Sequence, residues 1–414
     1  MKLDRKGVPA DELRERMRER AKGDKQWKER LASGVSYPAG DDVLEVAQQA
    51  YIDFFSVNAL YPSIFPSTAR FEREVIEMTA GLLHGDDAVG AISSGGTESN
   101  LLGVKSARDR ARALSPEVTE PEIVAPESAH PSFQKAADYF GLTLVSTPLT
   151  PEGLVDVPAY HAAVTDNTVL MVGSAPSTML GMVDPIPEMA APAAERGISF
   201  HVDACVGGYF LPFTEKLGYE VTPWDFRVPG VTTISADLHK FGYTAKGASA
   251  IVSRDEDIFQ YQVFDCGPPK RPQGYYVTPT IAGSRAGGAI AAAWAVMMYL
   301  GEEGYMRLVD GTMRYMRRFQ ERINAIEGLK VLGEPDMSLF AYTSTTMDIY
   351  AIAAGMEERG WMVSKDTVPF KAIRFMQSPG HEPYVDAYLG DLEDVVELVA
   401  AGKIIASGPE ANYT

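Results

Sequence analysis

Cysteine, positive charge and long apolar runs are all scarce in this chain, and each shortage excludes a class of protein. The two cysteines, Cys205 and Cys266, cannot build a disulfide framework, which favours a reducing compartment. With 38 Lys and Arg against 56 Asp and Glu, the net charge of -18 argues against non-specific binding to nucleic acid. The longest apolar run, from 289 to 300, is far shorter than the roughly 20 residues of a membrane-spanning helix.

The N-terminal segment is predicted to be helical and polar. The stretch LRERMRER interleaves charges of both signs, and residues 41–57 carry apolar side chains at helical spacing. The segment contains no apolar core of a signal peptide. From these patterns and shortages we expect a cytoplasmic protein with no integral membrane segment and no nucleic-acid partner.

Short apolar strands alternate with helical segments through the middle of the chain, as in EIVAPESAH, LTLVSTPL, TVLMVGSAP and ISFHVDACVGG. This alternation predicts an α/β domain whose mostly parallel sheet is covered by helices on both faces. After residue 300, strand-like KVLGEP, LFAYTST and AIRFMQ accompany two helical stretches, which predicts a small C-terminal α+β domain. We therefore divide the chain into an N-terminal helical segment (1–57), a large sheet domain (58–300) and a small domain (301–414).

The sequence SSGGTESN at 93–100 predicts a glycine turn that leads into a helix. Gly96 and Thr97 would stand at the helix N-terminus, where unpaired amide hydrogens and the helix dipole favour an anion. The glycine spacing matches neither a Walker loop nor a dinucleotide fingerprint. The turn is therefore either an anion site or a cap that only starts the helix.

Four polar or reactive side chains fall where predicted strands end, which is where ligands bind in open α/β sheets. They are His130, Ser174, Asp203 and Lys240. Asp203 follows a buried run, so its carboxylate needs a partner, which could be a backbone amide or a protonated ring nitrogen of a ligand. His130 could be a core histidine or an aromatic plate against a flat cofactor.

Lys240 ends a small polar loop that follows the predicted strand Val231–Ile234 and also presents Ser235 and His239. A lysine amine attacks carbonyl groups only when its surroundings lower its pKa. Taken alone, Lys240 is more simply explained as an ordinary surface lysine. In combination with a phosphate cup and a buried carboxylate, it matches the requirements of pyridoxal 5'-phosphate.

At these residues the chain resembles the fold-type I, group II decarboxylase-like enzymes, and within them most closely the lyases that act on phosphorylated sphingoid bases. The resemblance covers about residues 50 to 365. The motifs that carry it are SSGGTESN (93–100), APESAHPSFQKAADYFG (125–141), HVDACVGGYF (201–210), DFRVPGVTTISADLHKFGYTAKGAS (225–249) and PTIAGSRAGG (279–288).

The resemblance implies a role for each cofactor-binding residue. Lys240 would bind the cofactor covalently, Asp203 would keep the pyridine nitrogen protonated, and His130 would stack on one face of the ring. Cys205 would pack against the other face, with Ser235 in the same cofactor loop. The remaining implied contacts are to the cofactor phosphate: Gly96, Thr97 and His239 from the same chain, and Thr280 from the partner subunit of a homodimer.

The resemblance also implies a reaction, the retro-aldol cleavage between C2 and C3 of a phosphorylated long-chain amino alcohol. Lys246 matches a lysine that the lyases use toward the substrate phosphate, where decarboxylases typically have an apolar residue. Lys246 is otherwise a solvated loop lysine. Asn58 matches the lyase loop Asn-Pro-Leu-His-Pro, and we count Lys240, Asp203 and His130 with it among the catalytic candidates.

The chain departs from the family at several positions. Tyr61 stands where the loop usually has a histidine, and Leu180 precedes Gly181 where another histidine is frequent. Residues 265–276 lack the usual acidic, tryptophan-containing pattern. These differences bear on the substrate rather than on the cofactor, and Tyr61 remains a catalytic candidate.

Three functions are compatible with these patterns. The first is a soluble, bacterial-type lyase without the membrane anchor of its mammalian relatives. The second is an amino-acid decarboxylase or another carbon-carbon lyase that uses the same cofactor. The third is a binding protein without turnover. None of them requires a metal site, and we predict none.

Overall fold

The computed structural model describes residues 5–24, 34–272, 274–367 and 369–405. The predicted N-terminal helix is seen as α1 (Ala10–Arg20), followed by a short 3₁₀ turn at Ala21–Gly23, and residues 25–33 of that prediction lie outside the described residues. No side chain of α1 is buried. The helix therefore contributes nothing to the core of the protomer.

A seven-stranded sheet forms the centre of the large domain, in the order β1-β7-β6-β5-β4-β2-β3. Strands β2 to β6 pair in parallel, and β7 runs antiparallel to β1 and β6. The strands are β1 (Val89–Ser93), β2 (Glu122–Pro126), β3 (Thr143–Thr147), β4 (Thr168–Ser174), β5 (Ser199–Asp203), β6 (Val231–Ala236) and β7 (Ser249–Ser253).

Helices cover the sheet on both faces, as the alternating pattern predicts. Every residue of β4 and β5 is buried, as expected for central strands of a sheet that is covered on both faces. The helices before and among the strands are α2 (Asp41–Asp53), α3 (Pro66–Leu82), α4 (Gly96–Leu114), α5 (Ser132–Phe140), α6 (Val157–Ala162), α7 (Ile186–Arg196), α8 (Leu211–Lys216) and α9 (Glu256–Phe259).

The small domain follows helix α10 (Gly287–Ala325), which carries the chain out of the sheet domain. Gly301 has non-helical backbone angles within it, at φ 54, so the helix is kinked next to the predicted domain boundary at residue 300. A four-stranded antiparallel sheet packs on its own core. Its elements are β10 (Leu329–Leu332), β11 (Leu339–Ser344), α11 (Ile349–Glu358), β12 (Ser364–Asp366), β13 (Ala372–Met376), a 3₁₀ turn (Pro379–Tyr384) and α12 (Val385–Ala400).

The predicted fold class is confirmed, with local corrections. The strand after Val231 runs on to Ala236, so Ser235 belongs to the strand rather than to the polar loop. A hairpin, β8 (Phe264–Cys266) and β9 (Tyr276–Thr278), lies in the segment that departs from the family. Among the described helices, none combines the length and the apolar character needed to cross a bilayer. The division into three segments, with boundaries after residues 57 and 300, remains a prediction.

Candidate active site

A cavity of about 450 Å³ opens at the carboxyl edge of the parallel strands. Register neighbours place Ser174, Asp203 and Ser235 side by side where β4, β5 and β6 end. The cavity brings together most of the residues that the sequence singles out. Those that line it are Gly96, Thr97, His130, Ser174, Asp203, Cys205, His239, Lys240 and Lys246.

One end of the cavity is the N-terminus of α4. The first backbone hydrogen bond of this helix runs from the Ser99 amide to the Gly95 carbonyl, so the preceding amides have no partner within the helix. A Cβ on Gly96 would lie 2.7 Å from both the Asp237 carboxylate and the Cys205 sulfur. Only glycine fits there, which favours a built anion cradle over a simple helix start.

Asp203 is buried and still lines the cavity. Its Oδ1 accepts hydrogen bonds from the Cys205 amide (3.1 Å) and the Ser235 hydroxyl (3.4 Å), and its Oδ2 accepts one from Asn100 (2.8 Å). Burial raises the pKa of Asp203, but the electrostatic interaction with His130 and the hydrogen bond from Cys205 outweigh it and hold the pKa below its usual range. The residue is therefore an ionised carboxylate that faces the cavity.

His130 lies on the loop after β2 and is held in one tautomer. Its Nδ1 accepts the Ser132 backbone N–H at 3.1 Å and lies 2.9 Å from the Ser132 hydroxyl. Because Nδ1 acts as an acceptor, the ring proton belongs on Nε2. A ring fixed in this way can serve as a flat wall for an aromatic ligand.

Lys240 is paired with a residue to which the sequence analysis assigned no role. Its Nζ lies 2.9 Å from Asp237 Oδ2, in an ion pair with a carboxylate that is almost fully buried. Burial would lower the pKa of Lys240, but the Asp237 carboxylate raises it above its usual range. The sequence did contain a clue to this ion pair, because Asp237 precedes Lys240 by only three residues and the loop is too short to separate them.

Cys205 and Ser235 form the buried wall beside Asp203. The Cys205 thiol lies 3.3 Å from the Ser235 hydroxyl. Burial, together with the nearby carboxylates of Asp203 and Asp237, raises the pKa of the Cys205 thiol well above its usual range. The sulfur is therefore a neutral packing group rather than a nucleophile.

Lys246 stands at the exposed rim of the same cavity. Its Nζ lies 3.3 Å from the His239 carbonyl and 5.0 Å from the centre of the Tyr37 ring. It forms no salt bridge with a carboxylate in the part of the chain that the structure describes. Desolvation and the charge of Lys240 lower the pKa of Lys246. An anionic group entering the cavity would meet this cation.

A second, larger cavity of about 780 Å³ adjoins the first, and His239 and Lys246 line both. Its walls are mainly apolar and come from α2, the loop before it and the Tyr243–Ala245 segment. The residues of α2 that line it are Asp41, Val43, Leu44, Ala47, Gln48, Tyr51 and Ile52. The two cavities together offer a polar end and an apolar end.

Four predicted site residues do not line the cavity of their own protomer: Ser235, which is fully buried beside Asp203, and Asn58, Tyr61 and Thr280. The Asn58 amide donates to Ser284 (2.9 Å), and Asn58 forms a bridge with Ala286. The Tyr61 side chain is 48% exposed on the same loop. Thr280 is buried and its hydroxyl donates to the Ala282 carbonyl at 2.7 Å. Their assignment to the site therefore stays a prediction.

The residues present fit pyridoxal phosphate. The cavity combines a glycine cradle at a helix N-terminus, an ionised carboxylate, a flat histidine and a lysine, which are the groups that this cofactor uses. Two buried polar atoms of lining residues, Ser128 Oγ and Asp237 Oδ1, have no hydrogen-bond partner among the described residues. Such atoms indicate a site completed by a polar ligand.

Comparison with known proteins gives a consistent picture. Residues 26–344 match the model of the pyridoxal-dependent decarboxylase conserved domain. The chain is 42% identical to sphingosine-1-phosphate lyase 1 of Rattus norvegicus over 99% of its length and 72% of that protein. It is 35% identical to the L-aspartate/L-glutamate decarboxylase of Pyrococcus horikoshii over 96% of its length and 100% of that protein. The structure of a sphingosine-1-phosphate lyase from Burkholderia pseudomallei matches with a TM-score of 0.92 at 37% identity, covering 97% of this chain and 93% of that one.

Proposed function

Because the chain belongs to the pyridoxal-dependent decarboxylase family, we propose that it is a pyridoxal-phosphate-dependent carbon-carbon lyase. It cleaves the C2–C3 bond of a phosphorylated sphingoid base and yields a fatty aldehyde and phosphoethanolamine. The similarity to sphingosine-1-phosphate lyases along nearly the whole chain supports this choice. The observation that carries it is Lys246, a cation without a carboxylate partner among the described residues, at the mouth of the cofactor cavity.

The proposed roles follow the geometry of the cavity. The α4 amides at Gly96 and Thr97, with His239, hold the cofactor phosphate. Lys240 anchors the cofactor. Asp203 keeps the pyridine nitrogen protonated, and His130 covers one ring face while Cys205, backed by Ser235, covers the other. When bound, the cofactor supplies an electron-withdrawing ring that stabilises negative charge at the substrate's C2.

The cleavage requires one proton to leave and one to arrive. A base removes the proton of the C3 hydroxyl, the electron pair of the C2–C3 bond moves to C2, and C2 is then protonated. Lys246 binds the substrate phosphate, so it orients the bond to be broken rather than taking part in the proton transfer. Asn58 and Tyr61 are the proposed contributors from the neighbouring subunit.

The apolar cavity supports a long-chain substrate. An amphiphilic amino alcohol needs a cationic contact for its phosphate and an apolar surface for its hydrocarbon, and burial of each CH₂ contributes about 0.8 kcal/mol. Lys246 borders both cavities. A small polar amino acid would leave the apolar cavity unused.

We further propose a cytoplasmic homodimer with a shared active site. Asn58, Tyr61 and Thr280 do not line the cavity of their own protomer, which fits residues that serve the neighbouring subunit. Large apolar side chains are exposed on α2, on the loops near residues 60 and 281, and on α10. They are Ile52, Phe55, Ile64, Ile281, Met298 and Tyr299. Burial of such a surface between two copies would stabilise the dimer.

The second candidate is an amino-acid decarboxylase. It is favoured by the similarity to the Pyrococcus horikoshii enzyme, which matches over its entire length. The two reactions share the cofactor-binding residues and differ in what Lys246 has to bind. Products therefore separate them, since the lyase releases an aldehyde and the decarboxylase releases carbon dioxide.

The deciding experiment incubates the holoenzyme with a phosphorylated sphingoid base and with a panel of amino acids. We expect aldehyde release, and we expect Lys246→Met to raise the KM for the phosphorylated substrate by about tenfold or more, the loss of one charge-assisted contact. Mass spectrometry after borohydride reduction should place a pyridoxyl adduct on Lys240 in both proteins.

The matched control is Lys371→Met. Lys371 also lies over a tyrosine ring, 5.2 Å from the centre of Tyr350, but in the small domain. Its replacement should leave the KM unchanged. Carbon dioxide release without aldehyde, or a Lys246→Met enzyme with the wild-type KM, would contradict the proposed lyase.

A further inference from the structure

Behind the cavity wall, polar side chains form one continuous hydrogen-bonded chain that the proposed roles leave unused. His201 Nδ1 lies 2.9 Å from the Thr233 hydroxyl, and His201 Nε2 lies 3.1 Å from Asn100 Oδ1. The Asn100 amide donates to Asp203 at 2.8 Å and to the Ser132 hydroxyl at 2.9 Å. The Ser132 hydroxyl in turn lies within hydrogen-bond distance of His130, so the series of hydrogen bonds extends to the proposed ring-stacking residue.

The direction of these hydrogen bonds is fixed at Asn100. Its amide nitrogen must face Asp203, because its oxygen would be repelled by the carboxylate. The Asn100 oxygen then accepts from His201 Nε2–H, and His201 Nδ1 accepts the Thr233 hydroxyl proton. Every donor in the chain therefore points toward the two residues that face the cofactor.

Close packing around His201 fixes the position of its ring. His201 is fully buried, and its ring meets the edge of Phe133 at 5.7 Å. A Cβ on Gly103 of α4 would lie 2.6 Å from His201 Nδ1, so the helix approaches the ring as closely as glycine permits. Burial lowers the pKa of His201 to about 4, which keeps the ring neutral at neutral pH.

We propose that His201 is a positioning residue, which sets the orientation of the Asn100 amide and thereby holds Asp203 and His130 in the geometry that the cofactor requires. The inference rests on the placement of Asp203 and His130 against the cofactor in the proposed function. It does not depend on which substrate the enzyme cleaves.

The test measures the cofactor rather than turnover. Apoprotein is titrated with pyridoxal phosphate for wild type, His201→Leu and Asn100→Leu. We expect both variants to raise the Kd for the cofactor by about tenfold or more, because a hydrogen bond to an ionised group is lost or misdirected. We also expect the absorption spectrum of the bound cofactor to stay constant between about pH 6 and 9 in wild type. In both variants the spectrum should become pH-dependent, because Asp203 then holds the ring proton less firmly.

Two further variants separate positioning from simple loss of a buried histidine. His201→Gln retains an N–H that can reach Asn100, and it should recover most of the cofactor affinity and the constant spectrum. His381 in the small domain is also buried, with its pKa lowered by burial to about 4, and it bonds the Ser378 amide rather than the site. His381→Leu should lower the melting temperature while leaving the Kd and the spectrum unchanged.

Each result has one meaning. A His201→Leu protein with wild-type Kd and spectrum overturns the inference, as does a His381→Leu protein that changes both. Should His201→Leu fail to fold, His201→Gln and Asn100→Leu carry the same comparison, and equal cofactor binding in these two overturns it. A wild-type protein without an adduct on Lys240 contradicts the proposed function instead, which keeps the two failures distinct.

Discussion

At the scale of single residues, the site depends on charges that are buried in pairs. Asp237 holds Lys240, and Asn100 and Cys205 hold Asp203. Breaking a buried pair by removing one partner leaves an uncompensated charge, so these side chains are expected to tolerate only isosteric replacement. The motifs predicted Lys240 and Asp203 as site residues. The ion pair and the hydrogen bonds that hold these two side chains were identified only from interatomic distances in the structure.

The Asp237–Lys240 pair leads to a prediction about cofactor capture. The Asp237 carboxylate raises the pKa of Lys240, so the amine of the cofactor-free protein is protonated at neutral pH. Only the neutral amine attacks an aldehyde. We expect Asp237→Asn to lower the pKa of Lys240 and to shift the rate-against-pH curve for pyridoxal phosphate capture toward lower pH, measured by stopped-flow absorbance.

The control for this prediction is Asp225→Asn. Asp225 is equally buried, but it pairs with Arg227 and His84, and none of these three residues lines the cavity. Its replacement should leave the capture curve where it is. If the rate-against-pH curve of Asp237→Asn coincides with that of wild type, Asp237 does not control the pKa of the Lys240 amine.

At the scale of elements, loops at strand ends and one helix divide the site into a polar and an apolar part. The β6–β7 loop supplies His239, Lys240 and Lys246 to the polar cavity, and α2 and the loop before it supply much of the apolar wall. The periodicity of α2 predicted an amphipathic helix over 41–57, and the structure ends it at Asp53. Which surface its apolar face would meet was not encoded in that pattern.

This arrangement predicts how the substrate chain length affects binding. If the hydrocarbon lies in the apolar cavity, each added CH₂ lowers the KM about threefold to fourfold until the cavity is filled. Gln48 lines the cavity and is exposed, so Gln48→Trp should fill space there without disturbing the core and should flatten this dependence.

The adjacent residue provides a matched control. Gln49 is also exposed on α2 but does not line the cavity. Gln49→Trp should keep the wild-type dependence of KM on chain length. If the KM of Gln48→Trp depends on chain length as strongly as that of wild type, the hydrocarbon does not lie in the apolar cavity.

At the scale of the whole molecule, one protomer brings most of the predicted site residues, but not all of them, to its own cavity. Tyr61 is exposed on a loop that the Asn58 amide pins to Ser284. An exposed loop that carries site residues, next to exposed apolar surface, is what a shared active site in a symmetric dimer requires. In the proposed homodimer, the neighbouring subunit would therefore complete the site.

Complementation tests the shared site. Lys240→Ala should be inactive and Tyr61→Ala strongly impaired. After subunit exchange in an equal mixture, half the dimers would be mixed, each with one intact site, so about one quarter of wild-type activity should return. Activity that stays at the average of the two separate variants would mean that Tyr61 does not act across an interface.

The sequence by itself determined the family and the mostly parallel sheet, and it predicted the cofactor-binding residues, whose roles stay a prediction. These features follow from local patterns: apolar strands that alternate with helices, a glycine turn before a helix, and reactive residues where strands end. The similarity of the chain to the pyridoxal-dependent decarboxylase family confirms the predicted family and fold. The position of Ser235 was wrong by one element because a strand's end depends on its neighbours, and Ser235 pairs with Asp203 in the sheet.

Only the tertiary structure decided which side chains support the reactive ones. Asn100, His201 and Thr233 lie on α4, β5 and β6, far apart in the chain, and nothing local marks them as partners of Asp203. The apolar cavity likewise arises where α2 meets the β6–β7 loop. Hydrogen-bonded chains and cavities are properties of distances between elements, and the packing of the sheet against its helices sets those distances.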